Sequence, residues 1–251
     1  MLSEINKHPR DQYLEFFEDG HRYNLTLQSG KIIHPISVTT LISTYYEKFD
    51  ADKIIDKMMS KNWENSKYYG KTKEEIIQEW ELNRDNAASL GTHMHLCIEN
   101  YLNGLNVVND TIEYQYFHQF WHIFQLKFKT FKIYRTEQTI FDEDFRKGQS
   151  CCGSVDAILK DDADNFMILD WKRSKEIKTK NYKKMKYPFD HLDDTIYNHY
   201  RLQLSIYSHI LTTKYNYNVV FLMLVIFHPD NDNFVCIPVQ KIDLTEVWDK
   251  L

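Results

Sequence analysis

Hydrophobic and polar positions divide the chain into a helical first half and a strand-rich second half. Over residues 13–33, apolar and aromatic residues flank the turn Glu18-Asp19-Gly20, which predicts a β-hairpin. Ser37-Val38-Thr39-Thr40-Leu41-Ile42 opens a short helix with Ser37 as its cap. Apolar residues at helical spacing predict helices over about 51–61, about 73–102 with an interruption near Gly91, and about 110–130. The character changes at residue 131. Residues 131–141, 154–160 and 166–170 read as strands, the last two joined by the acidic turn Asp161-Asp162-Ala163-Asp164. A basic connection leads to a helix over about 194–214. Strands 219–227 and 233–239 then close the pattern, joined by Pro229-Asp230-Asn231-Asp232.

Helices, three strands, a helix and two strands predict an α/β or α+β domain: a small mixed sheet flanked by helices, with a helical N-terminal region. No repeat and no Pro/Gly/Ser linker interrupts the chain, so residues 1–251 read as one domain. Its hairpin and helical region span 1–130 and its core 131–251. A chain of 251 residues buries about 73% of its extended surface, enough for a core without staples. Hydrophobic residues at 43% and charged residues at 27% exclude a wholly disordered chain. The longest apolar run, 219–227, is far short of the roughly 20 residues of a membrane helix. The N-terminus has no apolar signal region, so an intracellular protein is expected, in cytoplasm, nucleus or a viral replication site, not a secreted one. A net charge of −5 argues against a generally basic DNA-coating protein and leaves room for a local basic groove. Seven Gly and 5 Pro against 17 Tyr and 15 Phe follow AT-rich codon usage, so tyrosine content by itself is no nucleic-acid signal. Cys97, Cys151, Cys152 and Cys236 are expected as reduced thiols, and without a CxxC pair they make no zinc ribbon.

The chemistry concentrates in Gly153-Ser-Val-Asp156 and Asp170-Trp-Lys172. Asp170 and Lys172, two apart on a strand, share one face. An Asp and a Lys ending an apolar strand are costly if buried unpaired, which points to a site at the strand's mouth. Asp156 lies on the neighbouring strand, so two carboxylates across adjacent strands make a hard-oxygen pocket suited to Mg²⁺ or Mn²⁺. A lysine beside it can orient water or stabilise phosphate charge. From spacing alone, a surface ion pair on an edge strand fits equally well.

Gly-x-x-Asp on one strand followed by Asp-x-Lys on the next resembles the core signature of the PD-(D/E)XK nuclease superfamily. Gly91-Thr-His-Met-His95 upstream and Gln203-Leu-Ser-Ile-Tyr207 downstream are similar to elements of its RecB-like branch. Ser37-Val-Thr-Thr and the segment from Tyr69-Gly70 to Trp80 extend the resemblance to mitochondrial genome maintenance exonucleases and related viral enzymes. The likeness covers roughly residues 36–227. It implies a restriction-endonuclease-like core and metal-dependent hydrolysis of DNA phosphodiesters.

Carried over by position, the resemblance makes Asp156, Asp170 and His95 ligands of one or two Mg²⁺ or Mn²⁺ ions, with the Trp171 carbonyl completing the set and Lys172 the catalytic lysine. His95 and Glu99, at i and i+4, share a helix face, so Glu99 is a candidate to orient His95. Glu137, on the preceding strand, is a further acidic candidate. Gln203 and Tyr207 are implied to position the substrate strand. Lys172 to Lys186 holds eight basic residues against Glu176, with Tyr182 and Tyr187 interleaved, so Arg173, Lys175 and Tyr182 are expected to bind substrate in a loop that orders upon it. The cysteines do not follow the spacing of the branch's iron–sulfur members, and no cluster is expected. The implied function is a monomeric single-strand DNA exonuclease of replication, repair or recombination, with partner proteins of those processes. Alternatives are a structure-specific endonuclease acting on DNA or RNA, or a non-catalytic nucleic-acid-binding domain. The helical region is large enough to arch over a strand.

Overall fold

The computed structural model describes residues 1–248 except Glu18, His21, Lys61, Asn62 and Lys147, so Glu18 of the expected turn and Lys61 of the expected helix end lie outside the described residues. Helix α1 (Leu2–Ile5) and a 3₁₀ turn (Pro9–Gln12) lead into a three-stranded antiparallel meander, β1 (Leu14–Phe17), β2 (Arg22–Thr26) and β3 (Ile32–Ile33). The short strand β4 (Ile36–Ser37) runs directly into α2 (Val38–Ser43), where Ser37 Oγ accepts the Thr40 N–H at 3.1 Å as the expected cap. Then come α3 (Ala51–Ser60), α4 (Lys73–Leu102) and α5 (Ile112–Lys127). A capping box starts α4: Thr72 Oγ1 accepts from Glu75 N and Glu75 Oε2 from Thr72 N.

The second half builds the main sheet from β5 (Lys132–Arg146), β6 (Gln149–Lys160), β7 (Asn165–Arg173), β8 (Asn218–Phe227) and β9 (Val235–Pro238), with α6 (Ile196–Lys214) crossing over between β7 and β8. Helix α7 (Thr245–Trp248) follows. The strand order is β4-β6-β7-β8-β9, with β5 paired along β6. The parallel pairs are β4 with β6 and β7 with β8; the rest are antiparallel. This is a mixed α+β fold. No described helix is long and apolar enough to cross a membrane.

Both faces of the sheet are covered, which is why β8 reads as a nearly continuous apolar run. On one face α2 and α6 pack Val38, Leu202, Ile206 and Ile210 onto Val155, Ile168 and Leu224. On the other, α4 and α5 pack Ile98, Phe117 and Phe120 onto Leu169, Trp171, Val225 and Phe227. A satellite core of Ile55, Tyr68 and Ile76, with Trp63 and Trp80 against it, holds α3 to the first turns of α4.

Three expectations change. Gly91 does not interrupt its helix. The α4 ladder runs through it, since packing at both ends of the helix outweighs the roughly 1 kcal/mol that one glycine costs. The strand expected from residue 154 begins at Gln149, because the 149–153 segment pairs with both β5 and β4. The basic run after β7 is pinned rather than free. Met185 and Phe189 are buried, Lys186 N donates to Tyr45 O at 2.7 Å, and Lys184 bridges to Asp193.

Gly153 is required by close approach. A Cβ there would lie 2.5 Å from Tyr207 Cε1. Gly153→Ala is expected to cost about 1–3 kcal/mol through overpacking, measured by denaturant unfolding. Combined with Tyr207→Ala, its cost should fall well short of the sum of the single changes.

Candidate metal centre

Strand β6 changes partners in the middle of one edge. It pairs with β4 at Cys151 and Cys152 and with β7 from Ala157 onward, so Gly153 to Asp156 lie where the ladder parts. On the facing edge, β7 runs on past Leu169 through Asp170, Trp171 and Lys172, still paired to β8. Buried strand amides left by such a parting need other partners. Asp156 Oδ2 accepts the Trp171 N–H at 2.7 Å, and His95 Nε2 from α4 bonds the Trp171 carbonyl at 3.0 Å.

That second bond defines the imidazole. A carbonyl only accepts, so Nε2 carries the proton, and Nδ1 faces Asp156 Oδ2 at 3.6 Å and Glu137 Oε1 at 3.7 Å. A neutral ring would aim its lone pair at two carboxylates. A proton on Nδ1, a proton on the Asp156 carboxyl or a metal ion among the three side chains relieves this. The ligand atoms of His95, Glu137 and Asp156 all lie within 4.8 Å of one another. The donor set, two carboxylates and one imidazole, fits a divalent ion of the Mg²⁺ or Mn²⁺ type, the imidazole favouring Mn²⁺.

Backbone strain contributes to this cluster. Glu137 has φ +43°, in the left-handed region, within an otherwise extended strand. For a non-glycine residue this costs on the order of 1 kcal/mol or more. Its carboxylate accepts from Ser154 Oγ at 2.9 Å through Oε2 and turns Oε1 toward His95.

Asp170 and Lys172 lie on the α6 side. Asp170 is 1% exposed, and its Oδ2 pairs with Lys172 Nζ at 2.6 Å, while that ammonium stands 4.7 Å from the centre of the Tyr200 ring. Burial pushes the Asp170 carboxyl up to about 6, against the pull of Lys172. Burial likewise raises Asp156, partly offset by His95. For His95, burial opposes charging, but Asp156 and Glu137 prevail and lift it to about 9. Burial also opposes the charge on Lys172, and Asp170 and Asp156 outweigh it, so its pKa rises and it stays an ammonium. Burial raises Glu99 as well, with Glu137 adding to the shift.

The expected residues are distributed as follows. His95, Glu137 and Asp156 converge on one point, and Asp170 stays outside that cluster on Lys172. The Trp171 carbonyl is engaged by His95, while its indole packs edgewise against Phe117 and Phe120. The described partners of His95 do not include Glu99; that carboxylate lines the cleft above the cluster. Tyr207 is buried beside Gly153, and its hydroxyl accepts from Gln203 Nε2 at 3.0 Å. Arg173 Nε donates to Glu113 at 2.7 Å, a largely buried pair that ties β7 to α5. Lys175 pairs with Asp230 at 3.0 Å, and Tyr182 is 87% exposed. Two residues were missed. Tyr200 had a signal, being at i to the Gln203 and Tyr207 positions i+3 and i+7 of one helix face. Ser154 had none, since its contact depends on how β5 lies against β6.

A cleft of about 780 Å³ opens onto the cluster, lined among others by Tyr23, Val38, Gly91, His95, Glu137 and Tyr207. Residues 81–90 of α4, beside this mouth, are exposed on every side. The helix, about 45 Å long at 1.5 Å per residue, thus spans freely between the satellite core and the main core.

No family model matches this chain, and no curated protein does. It is similar to the crystal structure of SSO0001 over 86% of this chain and 71% of that one, at 16% identity and a TM-score of 0.39, a likeness too weak to carry an argument.

Two predictions follow from the strain and the charge. At position 137 glycine is expected to be more stable than alanine by about 1 kcal/mol, the reverse of their usual order in strands, as read from Glu137→Gly and Glu137→Ala unfolding curves. Both variants should lose Mn²⁺ binding by calorimetry. In EDTA, the raised His95 pKa contributes stability that is fully present below pH 6.5 and is lost as pH rises through about 9. The stability gap between the protein and His95→Gln should therefore shrink by an amount on the order of 2 kcal/mol across that window. A pH-independent gap would refute the charge assignment.

Proposed function

We propose that this protein is a metal-dependent deoxyribonuclease that hydrolyses phosphodiester bonds, acting from an end of single-stranded DNA in replication, repair or recombination. The observation that carries the reading is the convergence of His95, Glu137 and Asp156 on one point, with the Lys172 ammonium held by Asp170 at the same parting of strands.

In this reading His95, Glu137 and Asp156 hold a divalent ion, with Asp170 on the adjacent strand. Such an ion supplies polarisation of a phosphate oxygen and a lowered pKa for bound water. Against the cost of burial, Asp170 and Asp156 raise the Lys172 pKa, which favours its ammonium form. Its role is to donate hydrogen bonds to the attacking water and to stabilise charge on the phosphate. The Asp170 carboxylate and the Tyr200 ring hold the ammonium in place. Tyr207, packed on Gly153 and bonded to Gln203, buttresses the strand that carries Asp156.

The preference for single strands rests on the mouth of the site. The cleft is bordered by Tyr23 and Val38 on one side and by the small residues Ala88, Gly91 and Thr92 of α4 on the other, with the free-standing stretch of that helix beyond. A flexible strand passes under such a rod more readily than a duplex, and this supports action from an end.

The deciding experiment is a time course on single- and double-stranded DNA labelled separately at each end, with Mg²⁺, Mn²⁺ or EDTA. Metal-dependent loss of single strands from one end is expected, with turnover reduced at least roughly 1,000-fold in Lys172→Ala and DNA affinity within a few-fold. Equal loss of binding and turnover would overturn the role of Lys172. Cuts in a circular single strand would make the enzyme an endonuclease.

A further inference from the structure

A second cleft, of about 950 Å³, lies between α3 with the 44–50 segment on one side and the 181–186 loop on the other. Lys48, Lys53, Lys57 and Lys186 line it, all exposed. Among the described residues none of these four forms an ion pair, whereas Lys71, Lys73, Lys175, Lys183 and Lys184 each have an acidic partner. The acids of the cleft are already engaged. Glu47 pairs with Lys183 at 2.5 Å, Asp194 with His199 at 2.7 Å, and Asp50 Oδ1 accepts the Lys53 N–H at 3.0 Å at the start of α3. Four ammonium groups without an ion pair, against the carboxylates of Asp50 and Asp194, leave the wall net positive on a protein whose net charge is −5.

Two aromatic rings stand out in the same cleft. Phe49 is 70% exposed and Tyr182 is 87% exposed. Phe49 is held rather than loose, with its ring edgewise to Trp80 at 5.6 Å. Exposed rings between unpaired lysines match what a single-stranded polynucleotide needs: stacking faces for bases and ammonium groups for phosphates. One helix links the cleft to Lys172. Tyr46, on its wall, stacks on His199 of α6 at 3.9 Å, and the next residue of that helix, Tyr200, supports Lys172.

We propose that this cleft is a second strand-holding subsite, which grips a single-stranded polynucleotide several nucleotides away from the bond being cut. The proposal rests on the nuclease reading above for its choice of substrate, and it adds where the rest of the strand lies. It makes affinity depend on strand length, with short oligonucleotides reaching only the metal centre.

The test is fluorescence anisotropy of labelled oligothymidylate of 20 nucleotides in EDTA, with the whole protein, across a salt series. Heparin binding and Mn²⁺-dependent cleavage of a tetranucleotide are measured in parallel. Lys53→Gln/Lys57→Gln should weaken 20-mer binding roughly tenfold and lower the salt slope by about 1.4, the loss of two phosphate contacts. Phe49→Ala should weaken it roughly tenfold while leaving heparin affinity unchanged. Tetranucleotide cleavage should stay as in the unmodified protein for both variants, which also reports that they fold. Wild-type 20-mer affinity in both variants would overturn the subsite and leave the nuclease reading standing. Cleft-dependent binding with no cleavage in any metal would overturn the nuclease reading and leave the subsite. An equal loss of heparin affinity in the aromatic variant would reduce the cleft to a general polyanion surface and overturn the proposal. Absence of any oligonucleotide binding would overturn both.

Discussion

The interaction on which the rest depends is the pair of hydrogen bonds to the Trp171 peptide. Strands β6 and β7 run side by side from Lys160 and Phe166 to Ala157 and Leu169 and then part. Parting leaves buried peptide groups without ladder partners, a debt of a kind that proteins rarely leave open. Asp156 takes the Trp171 N–H and His95 takes its carbonyl. The side chains that satisfy the opened ladder are thus two of the three in the His95, Glu137 and Asp156 cluster, and the opening that creates the need also makes the space where they meet.

Trp171 separates two environments across the sheet. Its indole is buried in the aromatic layer of α5, where Phe117, Phe120 and Phe227 surround it. Its neighbours Asp170 and Lys172 point to the opposite face, toward α6. The aromatic layer packs on one face of β7, and the charged pair stands at its end on the other. This arrangement keeps Lys172 charged despite burial, because two carboxylates outweigh the desolvation. It leaves the cluster of His95, Glu137 and Asp156 short of positive charge, which a proton or a divalent ion supplies.

Helix α4 joins this centre to the outlying lobe. Its last turns lie in the main core and carry His95, its first turns lie in the satellite core under α3, and the ten residues between touch neither. The lobe is also tied through the 44–50 segment, where Tyr45 and Glu47 bond the 183–186 stretch. One cleft opens on the His95, Glu137 and Asp156 cluster, and the other lies between the lobe and the 181–186 stretch.

Much of this was legible in the residues alone. The α+β order, the Ser37 cap, the shared face of Asp170 and Lys172, and the Gln203–Tyr207 pair all follow from spacing within one element, because backbone period sets which side chains are neighbours. The acids and the histidine were identifiable as chemistry. What the tertiary structure decided is how they meet. Glu137 joins the cluster through a left-handed φ that no periodicity encodes, and Ser154 steadies it across a strand pair whose register is a long-range property. Asp170 settles on Lys172 and Arg173 on Glu113 because burial makes an unpaired charge costlier than a lost contact elsewhere. Gly91 stays helical, and the basic run is anchored by Met185 and Phe189, since packing supplied by distant residues outweighs local preference. Local pattern determined the elements and the reactive groups they carry; the parting of two strands, which only the assembled sheet defines, determined the site.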